Sequence, residues 1–534
     1  MEYALALQRL VALGALALVV LPLARVRPPA GAPVPPRALA TFAGAVGGLL
    51  LLTLAWQAYW TLTPDLSPGW RASTQFDSRA FRLRTLSDRR GLADRFGWPQ
   101  AIHAWQAGQV VRRYLLGRAA AHVTGYHHPR FGQAGAEGAC NEFLATWRRP
   151  AWDILGNAPQ SGPAVAAPLR LTLDARLQAA AAKALGERPG AVVVLAVPSG
   201  EVLALVSAPS FQPETLTPQS FQPSGHDQHS PLFNRALHGL YPPGSTFKPL
   251  LAAAAMAAGY GPQTSHETPP EGFLAPGDHQ PIKDHEESEA LHNGQDWTGH
   301  GRLDMRGALV CSSNGYFAWL GCELGGPAIL EAAHLAGLDQ TWPLVPAEHP
   351  AADLTSAAGH LPPKLTWPGE IARCAIGQDQ ILVTPLHMAL LAGTIAADGW
   401  LAPPRLVLEG RAGAPRQVMT PAIARSVASL MASVVSDPRG TAHGLRGTVP
   451  VAAKTGSAEN NAGAAHGWVI GFAPADHPTL AFAVLVEHGE TGAKSAVPIA
   501  RAVLDAAESA GWCPRPAPLK PVKAAKPKHP KGGH

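Results

Sequence analysis

The chain has 534 residues, 46% of them hydrophobic and only 15% charged, which is enough apolar material for a sizeable core and enough length for two or three domains. A formal net charge of +5 is too small to argue for nucleic-acid binding, and part of it sits in the C-terminal tail, where Arg515, Lys520, Lys523, Lys526, Lys528 and Lys531 meet no acid. The five cysteines (Cys140, Cys311, Cys322, Cys374, Cys513) are odd in number and form no Cys-x-x-Cys, so a complete disulfide framework and a zinc or redox motif are excluded and buried free thiols are expected.

In chain order, two apolar stretches come first, Leu10–Ala24 and Leu39–Trp56, and the second can span a bilayer if extended toward Trp60. Trp56, Tyr59 and Trp60 read as an interfacial aromatic belt. Arg25, Arg27 and Arg37 lie in the short proline-rich loop between the stretches, which the positive-inside rule places in the cytoplasm. Residues 1–62 therefore read as a membrane anchor, two transmembrane helices with the bulk of the chain outside. A signal-like segment or a surface helix is the rival reading of the first stretch, given its shortness and Gln8-Arg9. Either way the bulk lies outside.

Residues 63–168 are expected to be a small separate domain, polar and without strong period, closed by a linker at Pro159–Pro168. From Leu169 the pattern changes. A short strand leads into a helix started by Asp174 and running through Leu185, and Ala191–Val197 and Val202–Val206 read as strands around the Ser199-Gly200 turn. Alanine-rich helices are expected around 304–323, 326–336 and 384–397, strands at Val451–Ser457, Trp468–Phe472 and Leu480–Glu487, and a closing helix near Ala496–Ala510. This order predicts an α+β fold with helices on one antiparallel sheet over 169–511, and residues 512–534 read as a Lys/Pro-rich disordered tail.

The stretch YPPGSTFKP, Tyr241 to Pro249, holds Ser245 three residues before Lys248. Pro-Gly halts what precedes, Ser245 reads as a helix start, Leu250–Ala258 continues the helix, and Gly259 ends it. An i, i+3 pair shares one helix face, so an amine able to take a proton stands beside a hydroxyl nucleophile. Alone, Ser-x-x-Lys is a weak signal, and a capped helix with a solvated lysine is the bland alternative. Ser312-Ser313-Asn314 and Lys454-Thr455-Gly456 follow downstream, at intervals that leave room for a helical subdomain and then a return to the sheet. Each alone reads as a cap or surface turn; in order they point to one cleft.

With these motifs, residues 169–510 resemble the transpeptidase domain of penicillin-binding proteins. The markers are LTLDARLQAAA, GAVVVLAVPSGEVLALVSAPSF, PPGSTFKP, SSN, IGQ at 376–378, TPLHMA at 384–389 and AKTGSAE. The stretch GYHHPRFGQAGAEGACNEFL (125–144) is similar to the signature upstream of the linker in the monofunctional, class B members, whose small pedestal the N-terminal part resembles. No glycosyltransferase domain fits in the space before the linker. Three positions depart from the family pattern: Ser313 stands where it has aspartate, Asp379 where it has glycine, and Ala453 where it has glycine before the lysine.

The resemblance implies a membrane-anchored peptidoglycan D,D-transpeptidase of the bacterial cell membrane, with its catalytic domain on the periplasmic or extracellular side. Ser245 would form an acyl-enzyme with a stem peptide, Lys248 would be the base, and Ser312 would pass the proton on. Asn314 would hold the substrate amide, and Lys454 would supply positive field. Thr455 and Ser457 would bind the terminal carboxylate, and Gly456 would let the substrate backbone approach. The backbone N–H groups of Ser245 and Ser457 would form the oxyanion hole. β-Lactams would trap Ser245, and a polytopic glycan polymerase is the implied membrane partner. No cofactor and no metal are expected. The histidines at 266, 279, 285, 292 and 300, with Asp284, Glu286, Glu287 and Glu289, have irregular spacing and read as a solvated loop. The alternatives are a penicillin-binding sensor or inactive scaffold and a hydrolase of carboxypeptidase or β-lactamase type.

Overall fold

The computed structural model describes residues 44–53, 55, 89–106, 109–128, 130–144, 167–221, 230–285, 296–345, 351–410, 412–460 and 463–513. Residues 44–53 are helical and belong to a separate compact unit. The first apolar stretch, the aromatic belt, most of the linker and the tail from 514 onward lie outside the described residues. No described helix is long and apolar enough to cross a membrane.

The polar sequence before the linker forms strands despite its lack of period. Strands β1 (Leu92–Ala93), β2 (Pro99–Gln106) and β3 (Gln109–Tyr114) make an antiparallel meander, and β4 (Tyr126–His128) pairs with β5 (Gly132–Ala134). Strand β6 (Leu169–Arg170) joins β1 in parallel, giving the sheet order β3-β2-β1-β6. The periodic signal is weak because this lobe is built around charge. Glu137, fully buried, lies 2.6 Å from Arg89 Nε and 2.7 Å from Arg112 Nε. The lobe is joined to the rest of the body by polar contacts: Tyr114 N donates to Glu214 Oε1 at 2.8 Å, Gln178 Nε2 to Ala119 O at 2.7 Å, and Gly135 N to the Asp353 carboxylate.

Helix α1 (Ala175–Leu185) begins where Asp174 accepts from Arg176 N at 3.0 Å. Strands β7 (Gly190–Ala196) and β8 (Val202–Ala208) follow as a hairpin. Then come α2 (Lys248–Ala257), β9 (Ser265–Thr268) paired with β10 (Gly301–Asp304), α3 (Met305–Val310), α4 (Asn314–Leu324) and α5 (Gly326–Leu335). They are followed by α6 (Pro368–Ala375), α7 (Pro385–Ala396), the ribbon of β11 (Trp400–Leu401) and β12 (Arg416–Gln417), and α8 (Pro421–Ser436). The chain closes with β13 (Ala452–Ala458), β14 (His466–Ala473), β15 (Leu480–Val486) and α9 (Gly492–Ser509).

The main sheet runs β13-β14-β15-β7-β8, antiparallel throughout. Every residue of β7, β8, β14 and β15 is buried, so helices cover both faces. Helix α9 packs on α1 and on β14, and α7 on β15 and β7. Two helix expectations need correction. The helix expected over 304–323 is two helices, broken at Cys311–Ser313, where Ser312 takes φ +61°. The closing helix starts at Gly492, before Ala496, because Thr491 caps it by accepting from Lys494 N at 3.3 Å; Pro498 lies inside it.

Candidate active site

Ser245 sits on a 3₁₀ turn, Gly244–Phe247, leading into α2. Its hydroxyl makes no cap, contrary to the helix-start reading: neither the turn nor α2 has a side-chain cap bond. The turn is fastened from several directions. Thr246 Oγ1 donates to Pro243 O at 2.6 Å, Trp468 Nε1 of β14 donates to Pro242 O at 3.1 Å, and Gly244 N donates to Gly377 O at 2.8 Å. Glycine is required at 377, where φ is +75° and a Cβ would lie 2.1 Å from Gly244 O. The bare Cα of Gly456 is used by the protein itself: a Cβ there would lie 3.0 Å from Thr246 Cγ2 and 3.1 Å from Pro243 O. Strand β13 therefore lies directly against the serine turn.

Lys248, one helical turn after Ser245, and Lys454, on β13, are both fully buried. They converge on Ser312. Lys248 Nζ donates to Ser312 O at 2.6 Å and to Asn314 Oδ1 at 2.8 Å, with Ser312 Oγ 3.4 Å away. Lys454 Nζ donates to Ser312 Oγ at 2.7 Å and to Thr455 O at 2.8 Å. The left-handed backbone of Ser312, which costs a non-glycine residue about 1–3 kcal/mol, is what turns its carbonyl and hydroxyl toward the two amines. The Phe317 ring stands 5.6 Å from Lys248 Nζ and closes the apolar side.

Thr455 Oγ1 donates to Thr441 Oγ1 at 2.5 Å, and Gln378 Nε2 donates to Ser457 O at 3.4 Å. Of the eight residues singled out from the sequence, Lys248, Ser312, Asn314, Lys454 and Thr455 are linked by these hydrogen bonds, and Gly456 and Ser457 of β13 lie against the turn that carries Ser245. Asp379 adopts φ +64°, the region that glycine takes readily, and keeps its carboxylate 3.6 Å from Arg373 Nε. Ala453 is buried on β13.

Several supporting residues carry no local sequence signal. Tyr241 donates its hydroxyl to Glu487 Oε1 at 2.6 Å, and Glu487 is paired with buried Arg235 at 2.9 Å, which fixes the segment leading into the serine turn. Lys283, Asp284 and Thr441 touch the motif residues directly. Part of the histidine-rich segment is likewise ordered, contrary to the reading of a solvated loop. His266 on β9 stacks on Trp319 at 4.3 Å, and Asp284 is buried beside His300. Among the described residues no three His, Cys, Asp or Glu side chains gather to hold a metal. Cys140, Cys374 and Cys513 are buried thiols, whereas Cys311 and Cys322 are partly exposed.

Residues 190–505 match the family model of the penicillin binding protein transpeptidase domain. The chain is 33% identical over 439 residues to the peptidoglycan D,D-transpeptidase PbpA of Mycobacterium tuberculosis, covering 75% of this chain and 84% of that protein. It is 29% identical over 396 residues to the peptidoglycan D,D-transpeptidase MrdA of Acinetobacter baumannii, covering 66% of this chain and 56% of that protein. Among solved structures, the ceftriaxone acyl-enzyme of M. tuberculosis penicillin-binding protein A superposes with a TM-score of 0.67 at 30% identity, over 78% of this chain and 98% of that one. The complex of Helicobacter pylori PBP2 with MreC gives 0.62 at 25%, over 75% and 79%. The chain belongs to the penicillin-binding protein family, among the class B peptidoglycan D,D-transpeptidases.

Proposed function

We propose that this protein crosslinks peptidoglycan stem peptides through an acyl-enzyme on Ser245. The convergence on Ser312 of Lys454 and of Lys248, one helical turn after Ser245, carries the reading. Ser245 Oγ attacks the penultimate D-alanine carbonyl and forms an ester, the C–N bond breaks, and the terminal D-alanine leaves with the serine proton. An amine of a second stem peptide then attacks the ester, forms the new amide and releases Ser245. Lys248 takes the serine proton, a role served by its place one helical turn after Ser245 and by its burial. Ser312, within reach of both amines, relays the proton toward the leaving group. Asn314 holds the substrate amide, Lys454 the field, and Thr455 and Ser457 the terminal carboxylate, while Gly456 holds the strand against the turn. The N–H groups of Ser245 and Ser457 receive the oxyanion.

β-Lactams acylate the same serine, a reading supported by the acyl-enzymes formed by the M. tuberculosis relative. Residues 1–62 anchor the chain in the bacterial cell membrane and 63–168 form a pedestal and linker. The domain of 169–511 works on the outer side, and 512–534 form a tail. Exposed Leu50, Leu51 and Leu52 on the described part of the second apolar stretch fit that anchor. A protein partner is supported by the MreC complex of the H. pylori relative, and a polytopic glycan polymerase in the membrane is the finer reading.

The test is an assay of the purified full-length protein with nascent glycan strands bearing pentapeptide stems and a glycan polymerase. Crosslinked dimers and free D-alanine should appear together, and both should vanish in Ser245→Ala. D-alanine release without crosslinks would assign a carboxypeptidase instead.

A further inference from the structure

The family pattern has an aspartate at the position of Ser313, within the motif that presents Asn314. Here a carboxylate reaches the same place from a different part of the chain. Asp284 is buried, and its Oδ2 accepts from Ser313 Oγ at 3.0 Å. Its Oδ1 accepts from Gly315 N at 3.1 Å and also from Asn314 N. These N–H groups open α4 and have no partner within the helix, so the carboxylate closes them as an N-terminal cap does. Ser313 meanwhile spends its lone pair on Tyr316 N at 3.2 Å, the ordinary cap of the same helix.

The neighbouring residue completes the device. Lys283 O accepts from Asn314 Nδ2 at 2.9 Å. An amide group held by its N–H₂ on one side must present its oxygen on the other, and Asn314 Oδ1 is the oxygen that meets Lys248 Nζ at 2.8 Å. The backbone and both ends of the Asn314 side chain are thus set by Lys283, Asp284 and Lys248. His300 Nε2 lies 3.6 Å from Asp284 Oδ2 and walls that side.

We propose that Asp284 is a positioning residue for the acylation step: from 29 residues upstream in the same chain it places a carboxylate beside Ser313, where the motif itself has none, and with Lys283 O it fixes Asn314 toward Lys248. It touches no reacting atom. The loop that carries it is therefore part of the catalytic apparatus in this chain, and a change in that loop is transmitted to Lys248 through one amide side chain.

The inference rests on Ser245 being the nucleophile, and rapid-mixing acylation of the full-length protein by a fluorescent penicillin separates the two. Wild type that takes no Ser245-dependent label defeats that reading. If it labels, Asp284→Ala should lower the limiting acylation rate about 10- to 100-fold per folded molecule, with a smaller change in penicillin affinity. In an Asn314→Ala background the same change should cost nothing further in rate, because Asp284 acts through Asn314. The exchange Asp284→Ser with Ser313→Asp should recover most of the rate. Asp284→Asn, which keeps shape and one acceptor oxygen, should fall between and serves if the alanine variant does not fold. An unchanged rate per folded molecule, or an equal loss in both backgrounds, overturns the proposal and leaves Asp284 a stabilising cap only.

Discussion

In the N-terminal lobe one carboxylate, Glu137, is buried between Arg89 and Arg112, while beside the serine turn two lysines, Lys248 and Lys454, are as deeply buried and donate to hydroxyl, amide and carbonyl oxygens around Ser312. Burial alone would raise the Glu137 carboxyl, but the Arg89 and Arg112 guanidiniums outweigh it and hold it below the ordinary carboxylate range. That cluster is fixed by opposite charges in rigid fork geometry, and Arg89 also grips Asn141 Oδ1 at 2.7 Å. A hydroxyl, by contrast, turns with little cost, so a proton near Ser312 can be handed on. The first arrangement suits architecture and the second suits chemistry.

The comparison is tested hardest by making each site apolar or neutral. Lys248→Met should lower acylation by about 10²- to 10⁴-fold while leaving the melting temperature equal or higher, because it removes a proton acceptor and a buried amine together. Calorimetry beside penicillin labelling reads both. Glu137→Gln should do the reverse: it leaves two buried guanidiniums uncompensated and should cost about 3–5 kcal/mol of stability by urea unfolding, with the acylation rate of the folded fraction unchanged. A large stability loss in Lys248→Met, or a rate loss in folded Glu137→Gln, would erase the distinction.

A smaller effect follows from pH. Burial holds His122 at about 4, His127 at about 3 and His387 at about 4, against 6.5 when exposed. Below pH 6.5 the unfolded chain binds protons at these positions and the folded chain does not, so stability falls as pH drops from 6.5 toward 4. Each fully buried histidine contributes up to about 1.4 kcal/mol per pH unit. The contribution of Glu137 has the opposite window, present above the unfolded carboxyl value of 4.5 and lost as pH falls through its lower folded value. Urea midpoints from pH 7.5 to 4.5 should therefore slope downward before Glu137 is protonated. A flat profile would mean that these histidines are hydrated.

The three motifs that the fold brings together were legible because each is a contiguous run: Ser245 to Lys248, Ser312 to Asn314, Lys454 to Ser457. So were strands β7, β8, β14 and β15, whose apolar runs belong to a sheet buried on both faces. What escaped was long-range. Nothing local links Asp284 to Gly315, Thr441 to Thr455 or Glu487 to Tyr241, since these pairs form only after the helices are docked. The break at Ser312 was also hidden, because a serine gives no signal of a left-handed backbone. The N-terminal lobe escaped for a different reason: two arginines share one buried carboxylate in it, and apolar periodicity cannot report such a cluster.

The central claim is that Ser245 is the residue acylated. Intact-mass measurement after incubation with a penicillin, followed by fragmentation, tests it most directly. One stoichiometric adduct on Ser245, absent from a folded Ser245→Ala variant, is the predicted result. An adduct that persists in that variant, or that maps to Ser312, would contradict it.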